Sequence, residues 1–481
     1  LTSDYIPLIN ALRNHKQLNS TSFHVPGHKN GLFFHSSILE DFQNVLAYDV
    51  TELDGLDDLH APSGAILEAQ KQAARFYEVD ETFFLVGGST VGNIAMIYGS
   101  FERGDYVFVQ RNSHKSIFHA LQIAGLIPIL LPSEIDNETG LAVGITEQTI
   151  YKAIQMYPEA KGVVLTYPNY YGVSLNLEAT IACAKKHNLL VLVDEAHAAH
   201  FTIGSPFPPS TLKQGADVVV QSAHKMLPAL TMSSFLHLNY KQIGPIRHNI
   251  KEALAMFQSS SPSYLLLASL DAARAYTEEL SKEEMHEIIA GVQAFKEELA
   301  TIKQLEVINW PERYHCDPLK VTIRTKTNLS GFELQSLFTN NHFFPELADE
   351  KHVLLVFGLG KMPISTNMVS SLRKSLEGYE VVEQGNEQVP AITPTIQLLE
   401  LHGAEVRQAK KKKVLLEHAT GCVAAEAIIP YPPGIPLVLA GERLSKRVVD
   451  EIKQLMKAGA TFQQEKDVKE VMVIDSEDDN E

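Results

Sequence analysis

Between about residues 80 and 240 the chain alternates short apolar runs with amphipathic helical patterns. The runs are Phe83–Val86, Tyr106–Val109, Ile127–Leu131, Gly162–Tyr167, Leu189–Val193 and Asp217–Gln221. Each reads as a buried strand. The stretches between them, such as Leu177–Lys186, place apolar residues three and four apart, as a half-buried helix requires. This rhythm predicts an α/β fold with a mostly parallel sheet covered by helices on both faces. Such sheets bind ligands at the carboxyl ends of their strands. The residues directly after each apolar run are therefore the ones to read for chemistry.

A chain of 481 residues exceeds one ordinary core, so two or three domains are expected. Ser269–Lys303 reads as one or two long helices. Short strands and helices then continue to about Tyr379, suggesting a smaller α+β domain. Gly385–Pro394 is polar with two prolines and reads as a linker. Structured patterning resumes from Thr395 to about Thr461. The expected division is an N-terminal segment 1–50, a large α/β domain 51–265, a small α+β domain 266–385 and a C-terminal α+β domain 386–470. A tail 471–481, acidic from Asp475 onward, is expected to be disordered. The run Lys410–Lys413 reads as a solvated face.

Composition narrows the function classes. Hydrophobic residues make up 45% and charged residues 21%, a globular balance. No apolar run approaches the roughly 18 residues that span a bilayer, and no signal segment opens the chain. The chain begins at Leu1 rather than Met, so a start upstream is expected. A formal charge of -17 speaks against nucleic-acid binding. It serves solubility first, and also suits a cationic substrate. Cys183, Cys316 and Cys422 are odd in number and far apart, fitting neither a disulfide framework nor a clustered metal site. A reducing cytoplasm is the expected compartment. His197 and His200 lie close in sequence without a partner metal motif, so no metal is expected.

Chemistry-bearing residues recur at strand ends. Ser222-Ala223-His224-Lys225 follows the last strand. A partly desolvated lysine there has a lowered pKa and acts as an amine nucleophile toward an aldehyde cofactor. Asp194 closes the strand Leu189–Val193. A buried carboxylate needs a partner, and a pyridinium nitrogen is one, although acids in such places also cap helices. Gly87-Gly88-Ser89-Thr90 lies between a strand and the helical run Val91–Ser100, where glycines, hydroxyls and a helix N-terminus suit a phosphate. Ser and Thr are also ordinary caps. His114, in Arg111-Asn112-Ser113-His114-Lys115-Ser116, follows another strand and suits the face of an aromatic ring. Their joint occurrence carries the reading.

In that order the motifs resemble pyridoxal-5′-phosphate (PLP) enzymes of fold-type I, and more narrowly the ornithine/lysine/arginine decarboxylase family. Phe23-His24-Val25-Pro26-Gly27-His28-Lys29 and Asp57-Asp58-Leu59-His60-Ala61-Pro62 resemble its N-terminal motifs. Tyr431-Pro432-Pro433-Gly434-Ile435-Pro436 resembles its C-terminal one. The likeness spans roughly residues 5 to 450. It implies a fold-type I PLP-binding large domain over 51–265, with Lys225 carrying PLP and Asp194 pairing with the pyridinium nitrogen. His114 would stack on the ring, and His224 would lie beside it. Ser89, Thr90 and Ser222 would bind the phosphate. Ser260 or Ser261 would reach the cofactor of a neighbouring subunit in a homodimer or higher oligomer. Glu442 matches an acidic position near the distal cation of a basic amino-acid substrate, and Asp57 and Asp58 are further acids that could face it.

The short stretch before Pro26 makes the chain similar to the wingless branch of the family. That branch favours arginine, giving agmatine for polyamine synthesis, with lysine and ornithine as alternatives. Two positions depart from the pattern: Thr231-Met232 where members often have Ser/Thr-Gln, and Gly421-Cys422 where many have Gly-Arg. Another fold-type I lyase, aldolase or aminotransferase would share Lys225, Asp194 and the phosphate turn. The N- and C-terminal motifs argue against one. A non-catalytic PLP-binding paralogue is the remaining alternative, and intact Lys225, Asp194 and His114 argue against it.

Overall fold

A computed structural model describes residues 6–239, 244–363, 366–382, 395–431, 434–463 and 468–475. The chain forms two compact units, Leu1–Phe101 with Leu190–Ser281, and Glu102–Leu189 with Lys282–Glu481.

In the first unit four strands lie in the order Glu81–Leu85, Ser234–Leu238, Val218–Gln221 and Leu190–Asp194. Three of them match apolar runs expected as strands. Ser234–Leu238 was not among those runs, because its apolar residues alternate with Ser234 and His237 and no helix separates it from Lys225 at the usual β–α spacing. It runs antiparallel to both neighbours, while Val218–Gln221 and Leu190–Asp194 are parallel. Glu81–Leu85, Val218–Gln221 and Leu190–Asp194 therefore point the same way. Their carboxyl ends share one edge with the amino end of Ser234–Leu238. That edge gathers Gly87 to Thr90, Asp194, Ser222 and Ser234.

The helix Gly88–Ser100 leaves this edge and buries Val91, Ala95, Met96 and Ile97. The helix Gly244–Phe257 crosses it closely at Gly99, where a Cβ would stand 2.7 Å from the backbone of Ile250. The amphipathic helices Ala65–Tyr77 and Tyr264–Glu279 belong to the same unit. Ser263 caps the latter by accepting from Leu266 N–H.

In the second unit Gly162–Thr166, Tyr106–Gln110 and Ile127–Leu131 are parallel neighbours, all expected from sequence, and Gln397–Leu398 adds antiparallel to the last. Two smaller α+β regions follow. One is the antiparallel sheet Leu305–Val307, Lys320–Thr325, His352–Val356 and Leu347–Ala348. The helices Lys282–Ala300, Gly331–Asn340 and Thr366–Leu376 accompany it. The expected long helical stretch Ser269–Lys303 is thus two helices, parted at Leu280 and Ser281.

The other region pairs Lys411–Leu415 with Glu470–Ile474 around Leu416, Val438, Ile452, Phe462 and Val473. This corrects the expected disordered tail: residues 471–474 belong to a strand, because Val471 and Val473 alternate into that core while Glu470 faces out. Residues 476–481 and the whole of the expected linker Gly385–Pro394 lie outside the described residues. Of the lysine run, Lys411 and Lys413 are exposed, and Lys412 pairs with Asp475 at 2.7 Å. Among the described residues no helix is long and apolar enough to cross a membrane.

Candidate active site

Asp194 ends its strand at 4% exposure. Its Oδ2 accepts from Asn93 Nδ2 at 2.9 Å, and its Oδ1 accepts from Ala196 N–H at 3.2 Å. Burial pushes its pKa up, against the opposing pull of the Lys225 charge, Asn93 and the Ala196 N–H. A carboxylate so enclosed keeps its charge only beside cationic or donating partners, and a protonated ring nitrogen fits that demand.

Lys225 lies in the short helix Ala223–Met226, directly beyond Val218–Gln221. Its Nζ is 3.1 Å from His197 Nε2. An ammonium can only donate, which puts the proton of neutral His197 on Nδ1. His224 Nδ1 donates to the Ser233 carbonyl at 2.9 Å, leaving the lone pair of the neutral ring on Nε2.

Three hydroxyls meet at the N-terminus of Gly88–Ser100. Ser89 Oγ is 2.6 Å from Ser222 Oγ and 3.2 Å from Ser234 Oγ. All three residues are buried, whereas Thr90 is exposed. Gly88 adopts φ +72°, a conformation that favours glycine, and its N–H donates to the Met232 carbonyl at 2.8 Å. Met232, the departure noted in sequence, itself has φ +79°. Clustered hydroxyls at a positive helix end suit a phosphate. Asp194, Lys225 and the three serines therefore occupy one sheet edge, and these residues fit PLP.

Asp57 and Asp58 sit in a loop of the same unit. Asp57 accepts from the N–H groups of Asp58, Ser63, Gly64, Ile66 and Leu67. Burial would raise its pKa, but the N–H groups of Ser63, Asp58, Gly64 and Leu67 outweigh that and lower it. Its carboxylate holds the start of helix Ala65–Tyr77. Asp58 accepts from His60 N–H at 2.8 Å. The loop meets the segment carrying Ser260 and Ser261: His60 Nε2 donates to the Ser259 carbonyl at 2.9 Å, and Tyr264 OH donates to the Asp57 carbonyl. Ser260 and Ser261 are themselves exposed.

In the second unit His114 caps helix Lys115–Ala124, its Nδ1 accepting from Ser116 N–H at 3.2 Å with Ser116 Oγ at 2.8 Å. Glu442 Oε2 accepts from Arg111 at 2.9 Å and from Leu439 N–H at 2.9 Å. Its charge is already countered by a guanidinium, and Arg111 also donates to the carbonyls of Pro436 and Leu437, both at 2.8 Å.

Sequence reasoning did not single out Asn93 or Ser234, and it grouped His197 with His200. Asn93 had a signal, since it stands four residues after Ser89 on one helix face. Ser234 had none without the antiparallel strand. His200 is packed between Phe201 and Phe207, with ring centroids 4.8 and 4.7 Å away.

Residues 6–314 match the family model for the Orn/Lys/Arg decarboxylase major domain, and residues 382–466 match that for the Orn/Lys/Arg decarboxylase C-terminal domain. The chain belongs to the Orn/Lys/Arg decarboxylase family, and it is a PLP-dependent amino-acid decarboxylase. It is 44% identical over 471 residues to the uncharacterised protein YaaO of Bacillus subtilis (strain 168), covering 97% of this chain and 98% of that one. With an arginine decarboxylase of the same organism it shares 31% identity over 466 residues, 95% of each chain. Among solved structures, lysine decarboxylase A from Pseudomonas aeruginosa superposes with TM-score 0.80 at 21% identity, covering 98% of this chain and 80% of that one. That likeness shows the fold.

Proposed function

We propose that the enzyme decarboxylates L-arginine to agmatine and carbon dioxide, a step of polyamine biosynthesis. The observation that carries the substrate is the 31% identity, end to end, with a protein named arginine decarboxylase. The guanidinium is a planar fork that pairs with carboxylates through two hydrogen bonds.

When bound, PLP supplies an electron sink for the pair left at the α-carbon as carbon dioxide departs. The side chains do the rest. Lys225 Nζ would hold the cofactor through its amine. Asp194 keeps the ring nitrogen protonated, with Asn93 and the Ala196 N–H holding the carboxylate in line. Ser89, Ser222 and Ser234 hold the phosphate at the helix N-terminus, with Thr90 at its exposed rim. His197 orients the Lys225 amine. His224, its Nδ1 proton tied to Ser233, presents Nε2 to move a proton near Lys225.

The working form is a homodimer. Its support is the segment around the Pro-Gly-His-Lys motif, which leaves Phe23 at 93%, Leu32 at 75% and Phe33 at 66% exposure. Large apolar side chains left this exposed in one chain segment suit an association face. The three cysteines are thiols, in keeping with a cytoplasmic location.

The test is to incubate the PLP-loaded enzyme separately with L-arginine, L-lysine and L-ornithine and to quantify carbon dioxide and amine. Agmatine as the main product is expected. Cadaverine or putrescine would keep the family and replace the substrate.

A further inference from the structure

Behind the cofactor edge of the first unit runs a buried polar chain that the chemistry above does not use. Glu195, directly after Asp194, has no solvent exposure. Its Oε2 accepts from Ser210 Oγ at 2.8 Å and from Gln221 Nε2 at 2.6 Å, and its Oε1 accepts from Thr211 N–H at 2.7 Å. Gln221, directly before Ser222, takes His237 Nε2 on its own Oε1 at 3.1 Å. His237 Nδ1 then meets Thr82 Oγ at 2.9 Å, and the Tyr77 ring covers His237 at 4.3 Å between centroids.

The donors in this chain run one way. When Glu195 is ionised it can only accept, so Gln221 then presents its NH2 to Glu195 and its carbonyl oxygen to His237. His237 must then donate from Nε2, and its bare Nδ1 accepts from the Thr82 hydroxyl. One residue from each of four neighbouring strand regions is thereby fixed in orientation: Thr82, His237, Gln221 and Glu195. Two of them are covalent neighbours of the cofactor contacts, Glu195 of Asp194 and Gln221 of Ser222.

We propose that Glu195 and Gln221 are positioning residues for the cofactor, setting the separation between the carboxylate that holds its ring nitrogen and the serine that holds its phosphate. The proposal rests on the placement of PLP between Asp194 and Ser222. The PLP ring is rigid and its phosphate arm is short, so a strand-end shift is felt at both. The Glu195–Gln221 side-chain bond adds to the backbone bond from Glu195 N–H to the Val220 carbonyl at 2.8 Å, so the ends of Leu190–Asp194 and Val218–Gln221 are tied through both main chain and side chain. Low-dielectric burial makes that bond strong when matched and costly when mismatched.

The experiment is a swap. Glu195→Gln either sets amide against amide or forces every link from Gln221 through His237 to Thr82 to reverse its donor, and Gln221→Glu sets carboxylate against carboxylate. The double variant Glu195→Gln/Gln221→Glu restores a donor facing an acceptor and still offers His237 an oxygen. PLP dissociation constants are measured by equilibrium dialysis, together with the absorbance maximum of bound cofactor and the thermal midpoint of the PLP-loaded protein. Each single variant is expected to weaken PLP binding about tenfold or more and to shift the absorbance, and the swap to recover to within about threefold of the parent. Single variants that lower the midpoint while leaving PLP affinity and absorbance unchanged would overturn the proposal. So would a swap variant that matches the parent's midpoint but keeps the weakened affinity, and this arm decides the matter if a single variant does not fold. Asp194→Ala separates the two levels: unchanged PLP affinity there refutes the cofactor placement itself.

Discussion

Asn93 Nδ2 donates to Asp194 Oδ2 at 2.9 Å from the helix whose first turn supplies Ser89. One helix thus serves both ends of the proposed cofactor site. Its N-terminus carries the serine proposed to hold the phosphate, and a side chain one turn later steadies Asp194. Asn93 is 1% exposed, so water cannot replace it. A hydrogen bond to a charged group contributes about 1.5–3 kcal/mol. Asn93→Leu is therefore expected to weaken PLP binding roughly 10- to 100-fold, read by absorbance titration of the cofactor-free protein. Affinity within twofold of the parent would remove Asn93 from the site.

The strand-end residues Asp194, Ser222, Lys225 and Ser89 were legible in sequence because each lies one to four residues after an apolar run, and strands that point the same way send such positions to one edge. Asn93 and Ser234 were not legible from that rule. Asn93 enters from inside a helix, and Ser234 enters from the start of an antiparallel strand, where the rule points to the opposite edge. The acids were legible only as acids. Nothing in sequence order shows that Asp57 is engaged by five backbone N–H groups. Nor does it show that Glu442 meets Arg111, because that pair joins positions 331 residues apart. The closing strand Glu470–Ile474 was hidden by the acidic residues that follow it, although its alternation of Val471 and Val473 was the available signal.

Gly99 is where helix Gly88–Ser100 meets helix Gly244–Phe257. A methyl group there would lie 2.7 Å from both the N and Cα of Ile250, which are backbone atoms that cannot rotate away. Gly99→Ala is expected to destabilise the protein by about 1–3 kcal/mol through overpacking, despite alanine's better helix propensity. Urea unfolding followed by circular dichroism measures it. An unchanged or raised midpoint would mean that the helices part at no cost.

Arg111 satisfies two carbonyls and Glu442 at once, from a position just beyond strand Tyr106–Gln110. Arg111→Met keeps much of the stem but strips three acceptors of their donor. The side chains of Arg111 and Glu442 are 26% and 16% exposed, so water repairs part of the loss. A destabilisation of about 1–3 kcal/mol is expected. It should appear as faster proteolysis of the region holding Pro436 to Glu442, with mass spectrometry locating the cuts. Cleavage no faster than in the parent would show that the guanidinium does not hold that segment.

Glu195 and His237 belong to one buried chain and titrate in opposite senses. Burial raises Glu195 from 4.5 to about 7, against the Thr211 N–H, Gln221 and Ser210 that favour its charge. Burial lowers His237 from 6.5 to about 3. The raised acid stabilises the fold below pH 4.5, and that contribution is lost as pH rises to about 7. The depressed histidine stabilises the fold above pH 6.5, and that contribution is lost as pH falls to about 3. Between pH 4.5 and 6.5 the folded chain holds one proton, on Glu195, and the unfolded chain also holds one, on His237, so the two slopes cancel. Glu195→Gln removes one side of that balance. The pair's contribution to stability in the parent should stay level until pH falls below 4.5, whereas in the variant it should decline from 6.5 downward. Urea midpoints of the cofactor-free proteins at stepped pH measure the difference, in which the titrations common to both cancel. Parallel pH profiles for parent and variant would show that Glu195 takes up no proton in this range, and that its carboxylate stays charged inside the chain of hydrogen bonds.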